Sequence, residues 1–321
     1  MRKRIAAIIA GASALAVAGV AGAETVQVTP LGGQDGEFCR LDRALIFEDP
    51  DGTRILYDPG RTVAGADDPR LGAVDAVLVS HMHGDHVGDR HTSAVNAGDC
   101  AAPDFSVDAT PHSSAVLIAV AKGAQIVVGS EMASFFAGKL KAAGGDPKQS
   151  VLVRFGASKT VGGVKITTVP AAHSNGVSPS LIGGELGKHM AEAGLTAYVG
   201  PPTGYVLTFS NGLVAYLSGD TGVTAEQDVV VRGFYGAELA VINIGDTFTT
   251  GPTEAAYVID ALVKPKSTIL SHANEPATEG GKVKPGTRTA EFLAAVKTPA
   301  YVPLSGGTMA FDGAGACVSG C

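Results

Sequence analysis

The chain has 321 residues, 45% of them hydrophobic and 17% charged, and a formal net charge of −7. That length and apolar content supply one large core or two small ones. The acidic balance, with no basic or aromatic patch, argues against nucleic acid as a partner.

Arg2, Lys3 and Arg4 precede an apolar run over residues 5–20, and Ala21-Gly22-Ala23 follow before Glu24. A positive start, an apolar middle and a small-x-small end make the pattern of a secretory signal peptide. About 16 apolar residues are marginal for spanning a bilayer, so no stable membrane anchor is expected. The folded part is then residues 24–321, periplasmic or secreted, and its loss of three basic residues makes it more acidic still. All four cysteines fall in that part, where oxidation is the default, and the expected pairs are Cys39 with Cys100 and Cys317 with Cys321. A thiolate metal site at Cys317 and Cys321 is the alternative, weakened by the absence of further ligands nearby.

Residues 27–31 and 44–48 read as short strands, and residues 54–58 as a third that stops at Pro59-Gly60. Asp58 is thereby a carboxylate at a strand end, although Asp before Pro-Gly is also simply a good turn residue. The next strand is valine-rich and buried in character, and it stops abruptly in Ser80-His81-Met82-His83-Gly84-Asp85-His86. His81, His83 and Asp85 alternate, so an extended backbone points them to one side, and Gly84 is expected to permit the turn that His86 needs. A lone histidine is usually a surface or hydrogen-bonded core residue. Four ligand-type side chains in six positions after a strand outweigh that reading and point to one or two divalent ions.

Residues 87–108 look like loop, followed by a helix over 114–122, a strand over 125–128 and a second helix that Ser130 is placed to cap. His91 and His112 lack ligand-type neighbours at a useful spacing and read as non-ligands. Strands over 151–155 and 164–169 follow, the second running into Pro170-Ala171-Ala172-His173. Residues 177–202 are rich in glycine and proline, with a short helix over 185–193, and are expected to form a lid over the site. Strands over 205–209 and 213–217, joined at Ser210-Asn211-Gly212, give a hairpin signal, and the second ends in Ser218-Gly219-Asp220-Thr221. A capping box over 224–227 opens a helix. The strand over 239–244 ends in Gly245-Asp246, Pro252 opens another helix, and Ser267-Thr268-Ile269-Leu270-Ser271 runs into His272. The loop over 273–286 carries Lys282 and Lys284, the expected counter-charges for an anionic substrate, and an amphipathic helix and short strands close the chain.

The His-x-His-x-Asp-His run resembles the signature of the metallo-β-lactamase superfamily, and His173, Asp220 and His272, each at a strand end, match that family's downstream ligands. The resemblance covers nearly all of residues 24–321 and implies an α/β (α+β) fold, the αββα sandwich, with its metal site at one edge between two sheets. It implies that His81, His83 and His173 hold one ion, that Asp85, His86 and His272 hold a second, and that Asp220 touches both. Asp58 would support the metal loop by hydrogen bonding, and Asp246 is a competitor to Asp220 read as supporting. Zinc suits so many imidazoles, and the mixed nitrogen and oxygen donors also admit manganese or iron. Two such ions lower the pKa of a bound water from about 15.7 to about 7, with Asp85 as the expected catalytic proton carrier. The expected activity is hydrolysis of a small ester, lactone or phosphoester, and Gly-Asp-Thr with a later Ser-His resembles the ascorbate-phosphate-lactonase-like branch. The alternatives are an iron-dependent sulfur dioxygenase of the same fold and a non-catalytic zinc-binding protein.

Overall fold

Leu45 and Phe47 of the strand Ala44–Glu48 face one way and Ala44 and Ile46 the other, and all four are buried. A strand buried on both faces needs a layer on each side. Arg54–Tyr57, Ala76–Leu78, Val214–Leu217 and Leu239–Asn243 impose the same demand. The answer is helix, sheet, sheet, helix. The computed structural model describes residues 24–321, so the expected signal peptide lies outside the described residues.

The first sheet has the spatial order Cys317–Ser319, Met309–Phe311, Val26–Leu31, Ala44–Glu48, Arg54–Tyr57, Ala76–Leu78, Gln125–Val128, Ser150–Leu152. The second has the order Ala300–Tyr301, Ser267–Ser271, Leu239–Asn243, Val214–Leu217, Thr203–Thr208, Val164–Pro170, Ser158–Val161. Between them Phe47, Tyr57 and Leu78 meet Ile166, Tyr205, Leu207 and Leu217. The opposite faces carry the helices. Leu56, Val77 and Ile126 pack with Ile118 and Phe136 of the helices Ser114–Lys122 and Met132–Ala142. Tyr216, Ala240 and Ile242 pack with Ile259 and Phe292, the latter from the helix Arg288–Ala295. Each large aliphatic or aromatic side chain among these contributes roughly 1.5–3 kcal/mol by burial, against about 0–1 kcal/mol for a surface ion pair, so these three apolar layers hold the fold.

Both sheets become parallel near their middle. Tyr57 pairs with Leu78 in one, and Leu217 with Val241 and Asn243 with Ser271 in the other, which brings the carboxyl ends of these strands to a common edge. Asp58, His81, Asp220 and His272 leave from those ends, and strand ends of this kind are where α/β proteins build their sites. The Tyr205 hydroxyl ties the sheets together just there, 2.8 Å from the Val79 carbonyl and 3.0 Å from that of Val127.

The expected hairpin is present, with Tyr205 opposite Leu217 and Gly212 in the left-handed region at φ 90°. Both expected disulfides are formed, and Cys39–Cys100 closes 61 residues of chain. No helix of the described residues is long and apolar enough to cross a membrane. Two local readings need correction. Ser130 does not cap the second helix: its φ is 53°, and the helix starts at Met132 behind Glu131 with no side-chain cap. Residues 177–202 are not a lid. Val177 and Leu181 are buried in the layer that holds Phe136, and Lys139 Nζ donates to the Ile182 carbonyl at 3.2 Å, so the segment is fastened to the outer flank of the first sheet. Its glycines and prolines hid those apolar anchors.

Candidate metal site

The chain leaves Ala76–Leu78 through Val79 and Ser80, passes His81 and His83, and turns in the short helix Gly84–Val87, which carries Asp85 and His86. The turn does not depend on Gly84, as the sequence suggested, because Gly84 is outside the left-handed region. A Cβ there would lie 2.4 Å from the Asp89 carboxyl and 2.7 Å from the Arg61 guanidinium, so glycine is required by the close Arg61–Asp89 ion pair. Gly88, at φ 75°, makes the turn at the helix end.

All seven side chains singled out in the sequence converge in two groups: His81, His83, His173 and Asp220 in one, Asp85, His86 and His272 in the other. Asp220, 2% exposed, stands between them. Its Oδ2 lies 3.7 Å from His81 Nε2, 3.6 Å from His173 Nε2 and 3.0 Å from His272 Nε2, and its Oδ1 lies 3.3 Å from His86 Nε2. Asp85 Oδ2 is 3.6 Å from His272 Nε2 and 3.7 Å from His86 Nε2. Donors about 2.0–2.2 Å from a tetrahedral ion are roughly 3.3–3.6 Å from one another, so this spacing fits shared cations.

The polar inventory agrees. His81 Nε2, His86 Nε2 and Asp220 Oδ1 are buried and make no hydrogen bond, a cost of about 1–3 kcal/mol each unless something occupies the space they face. Burial and the charge of His86 hold His81 well below its ordinary 6.5 and His83 below it, and His173 is lowered by burial too. His272 is lowered by burial and by Arg43. Burial opposes charge on Asp220, yet His86 and His272 hold it well below the usual carboxylate range. Burial also opposes charge on His86, but Asp220, Asp85 and Asp58 push it up to about 10. Four neutral imidazoles and two ionised carboxylates are the protonation state that a cation requires, and His86 must release one proton on binding.

The cluster is braced from behind. Asp58 Oδ2 accepts from His86 Nδ1 at 2.8 Å and from the Ser80 hydroxyl at 2.7 Å, and its Oδ1 accepts from the Ser80 amide at 2.8 Å. The His86 proton is thereby fixed on Nδ1, with Nε2 turned inward, which matches the supporting role that the resemblance gave Asp58. Arg43 went unrecognised in the sequence. Its side chain is 1% exposed, and Nε and Nη2 donate to Asp85 Oδ2 at 3.2 and 2.9 Å while Nη2 also reaches Asn274 Oδ1 at 2.6 Å. The available signal was a charged pair, Asp42-Arg43, directly before the apolar strand Ala44–Glu48. Burial alone would raise Asp85, but His86, Arg43 and His272 hold it far below the usual range.

The cluster forms the floor of a cavity of about 730 Å³ whose rim includes Arg40, Leu41, Arg61, Phe248, Asn274 and Arg288. Of the ten left-handed non-glycine residues among those described, Leu41, Asp246, Thr247, His272 and Asn274 line this cavity, which concentrates backbone strain at one place. Asp246 is exposed and outside both groups, its Oδ1 accepting from the Thr247 amide, so it neither ligates nor supports Asp220. Lys282 and Lys284 are not on the rim; Lys282 sits in a small hairpin against Glu279, and the rim's cations are Arg40, Arg61 and Arg288. As expected, His91 and His112 stay outside the cluster. His91 Nδ1 donates to the Thr92 carbonyl at 2.8 Å.

Comparison with known proteins places these features in a family. The model of the Beta-lactamase superfamily domain matches residues 53–273. A UPF0173 metal-dependent hydrolase from Pelotomaculum thermopropionicum is 33% identical over 224 residues, 69% of this chain and 77% of that protein. Among solved structures, Igni18, a metallo hydrolase from Ignicoccus hospitalis, superposes with a TM-score of 0.56 at 20% identity, covering 90% of this chain and 99% of that one. CmlA, a diiron beta-hydroxylase from Streptomyces venezuelae, gives a TM-score of 0.53 at 13% identity, covering 91% of this chain and 54% of that one.

Asp58→Asn keeps the shape of the bracing residue and removes its charge. Zinc affinity is expected to fall about 10–100-fold, read by competition with a chelating dye. An unchanged affinity would show that the Asp58–His86 contact does not orient a ligand.

Proposed function

The chain belongs to the metallo-β-lactamase superfamily and is a metal-dependent hydrolase, and we propose that it holds two divalent ions, one on His81, His83 and His173 and one on Asp85, His86 and His272, with Asp220 shared. The position of Asp220 carries this reading, because its Oδ2 faces His173 of one group and His272 of the other. Zinc is the first choice for five imidazoles and two carboxylates, and manganese or iron fits the same donors. Such ions supply a water that is deprotonated near neutral pH and polarise the oxygen of the scissile bond.

The chain's own residues do the rest. Asp58 holds the His86 proton on Nδ1, and Arg43 keeps Asp85 anionic. Arg43 engages Asp85 Oδ2, so Oδ1 is the atom left to take or return a proton in the catalytic role assigned to Asp85. The cavity suits a small ester, lactone or phosphoester, and the rim arginines favour one that carries negative charge.

Zinc loading is expected to give two ions per chain. Asp220→Ala is expected to lose metal from both positions and to lower kcat/KM by more than about 10³-fold, roughly 4 kcal/mol of transition-state stabilisation, whereas His91→Ala keeps both. Equal metal content in wild type and Asp220→Ala would overturn the shared ligand. A screen of lactones, thioesters, phosphodiesters and β-lactams names the bond; a single iron with oxygen-dependent turnover supports the dioxygenase, and bound zinc with no turnover supports a binding protein.

Export is the second part of this reading, supported by the basic, apolar and small-residue pattern of residues 1–23 and by two disulfides. Intact-mass analysis of the secreted or periplasmic protein is expected to find a chain starting at Glu24. Retention of residues 1–23 would contradict it.

A further inference from the structure

Arg40 differs from the other cations on the cavity rim. Arg61 gives Nε and Nη2 to Asp89 at 2.7 and 2.8 Å, and Arg288 lies 3.7 Å from Glu275. The Arg40 guanidinium, exposed on the same rim, has no hydrogen-bonding or ionic partner among the described residues. Asp246 is the rim's carboxylate outside the metal cluster, and it is turned onto the Thr247 amide.

The backbone that presents Arg40 is held in place. Cys39 is bonded to Cys100, and the Arg40 amide donates to the Cys100 carbonyl at 3.1 Å. Buried Asp42 accepts from the amides of Cys39 at 2.7 Å and Gly33 at 2.8 Å. Between them Leu41 is fixed at φ 67°, a region that leucine seldom enters. Strain maintained by a disulfide and a buried carboxylate is a sign of a shape kept for use. Its result is that Leu41 and Arg40 both face the cavity. Across the same opening Phe248, 67% exposed, follows Asp246 and Thr247, themselves left-handed at φ 49° and 59°.

We propose that Arg40 is a specificity-determining residue that binds a carboxylate of the substrate, separated from the scissile bond by a short apolar segment lying against Leu41 and Phe248. The inference rests on the two-ion reading of the cavity floor. A planar guanidinium with all its donors free matches one carboxylate in a two-pronged contact. Arg61 and Arg288 already have carboxylates of the chain itself beside them, which leaves Arg40 for the ligand.

Calorimetry on the zinc-loaded protein tests this with alkylphosphonates of two to four carbons, whose phosphonate seeks the metals, and with their ω-carboxy counterparts. At one chain length the carboxylated probe is expected to bind wild type about tenfold more tightly than the plain one, the scale of one charge-assisted contact. Arg40→Ala should abolish that preference while lowering plain-alkylphosphonate affinity far less than that of the carboxylated probe and leaving zinc content unchanged, and Arg40→Lys should restore part of it. A wild type without the preference at every length, or an Arg40→Ala that weakens both probes equally, would overturn the inference. Failure of the plain alkylphosphonate to bind wild type would instead defeat the metal-site reading, and this inference with it.

Discussion

A buried carboxylate surrounded by imidazoles sets the terms for everything around it. Asp220 is 2% exposed, and burying such a charge costs several kcal/mol unless cations or donors lie close by. Its two oxygens face four imidazole nitrogens at 3.0–3.7 Å. Those rings arrive from three separate segments, so the arrangement exists only if strands of both sheets end at the same edge. The parallel registers about Leu78, Leu217 and Ser271 provide that alignment. The apolar layers that fix the registers are therefore part of the site's geometry.

Around this centre each charge is answered by another. Asp58 answers His86, and Arg43 answers Asp85. Removing either partner leaves a buried charge, so the bracing residues are bound to the site as tightly as the ligands are. The Cys39–Cys100 disulfide and Asp42 shape the short stretch that ends in Arg43 and displays Arg40 on the rim. One turn of chain thus serves both the floor of the cavity and its mouth.

Much of this was legible in the sequence because strand ends and ligand-type residues coincide there. The run from His81 to His86 and the single residues His173, Asp220 and His272 each follow an apolar strand, and a continuous apolar run such as Leu45, Ile46 and Phe47 marks a strand buried on both faces. The resemblance to a family supplied the grouping of ligands, and the geometry brings the same groups together. The rim was not legible. Lys282 and Lys284 were the conspicuous cations of a loop near His272, whereas Arg40 and Arg61 reach the cavity from far upstream in the chain and Arg288 from the first turn of the helix after that loop. Long-range placement of exposed side chains leaves no periodic trace. Residues 177–202 misled for a related reason, since a few anchors such as Val177 and Leu181 outweigh many glycines and prolines in deciding where a segment lies.

Anomalous diffraction at the zinc edge, from crystals of the zinc-loaded protein, tests the shared carboxylate most directly. The account predicts two peaks on opposite sides of Asp220, one near His81, His83 and His173, the other near Asp85, His86 and His272. A single peak, or two peaks of which Asp220 contacts only one, would contradict it.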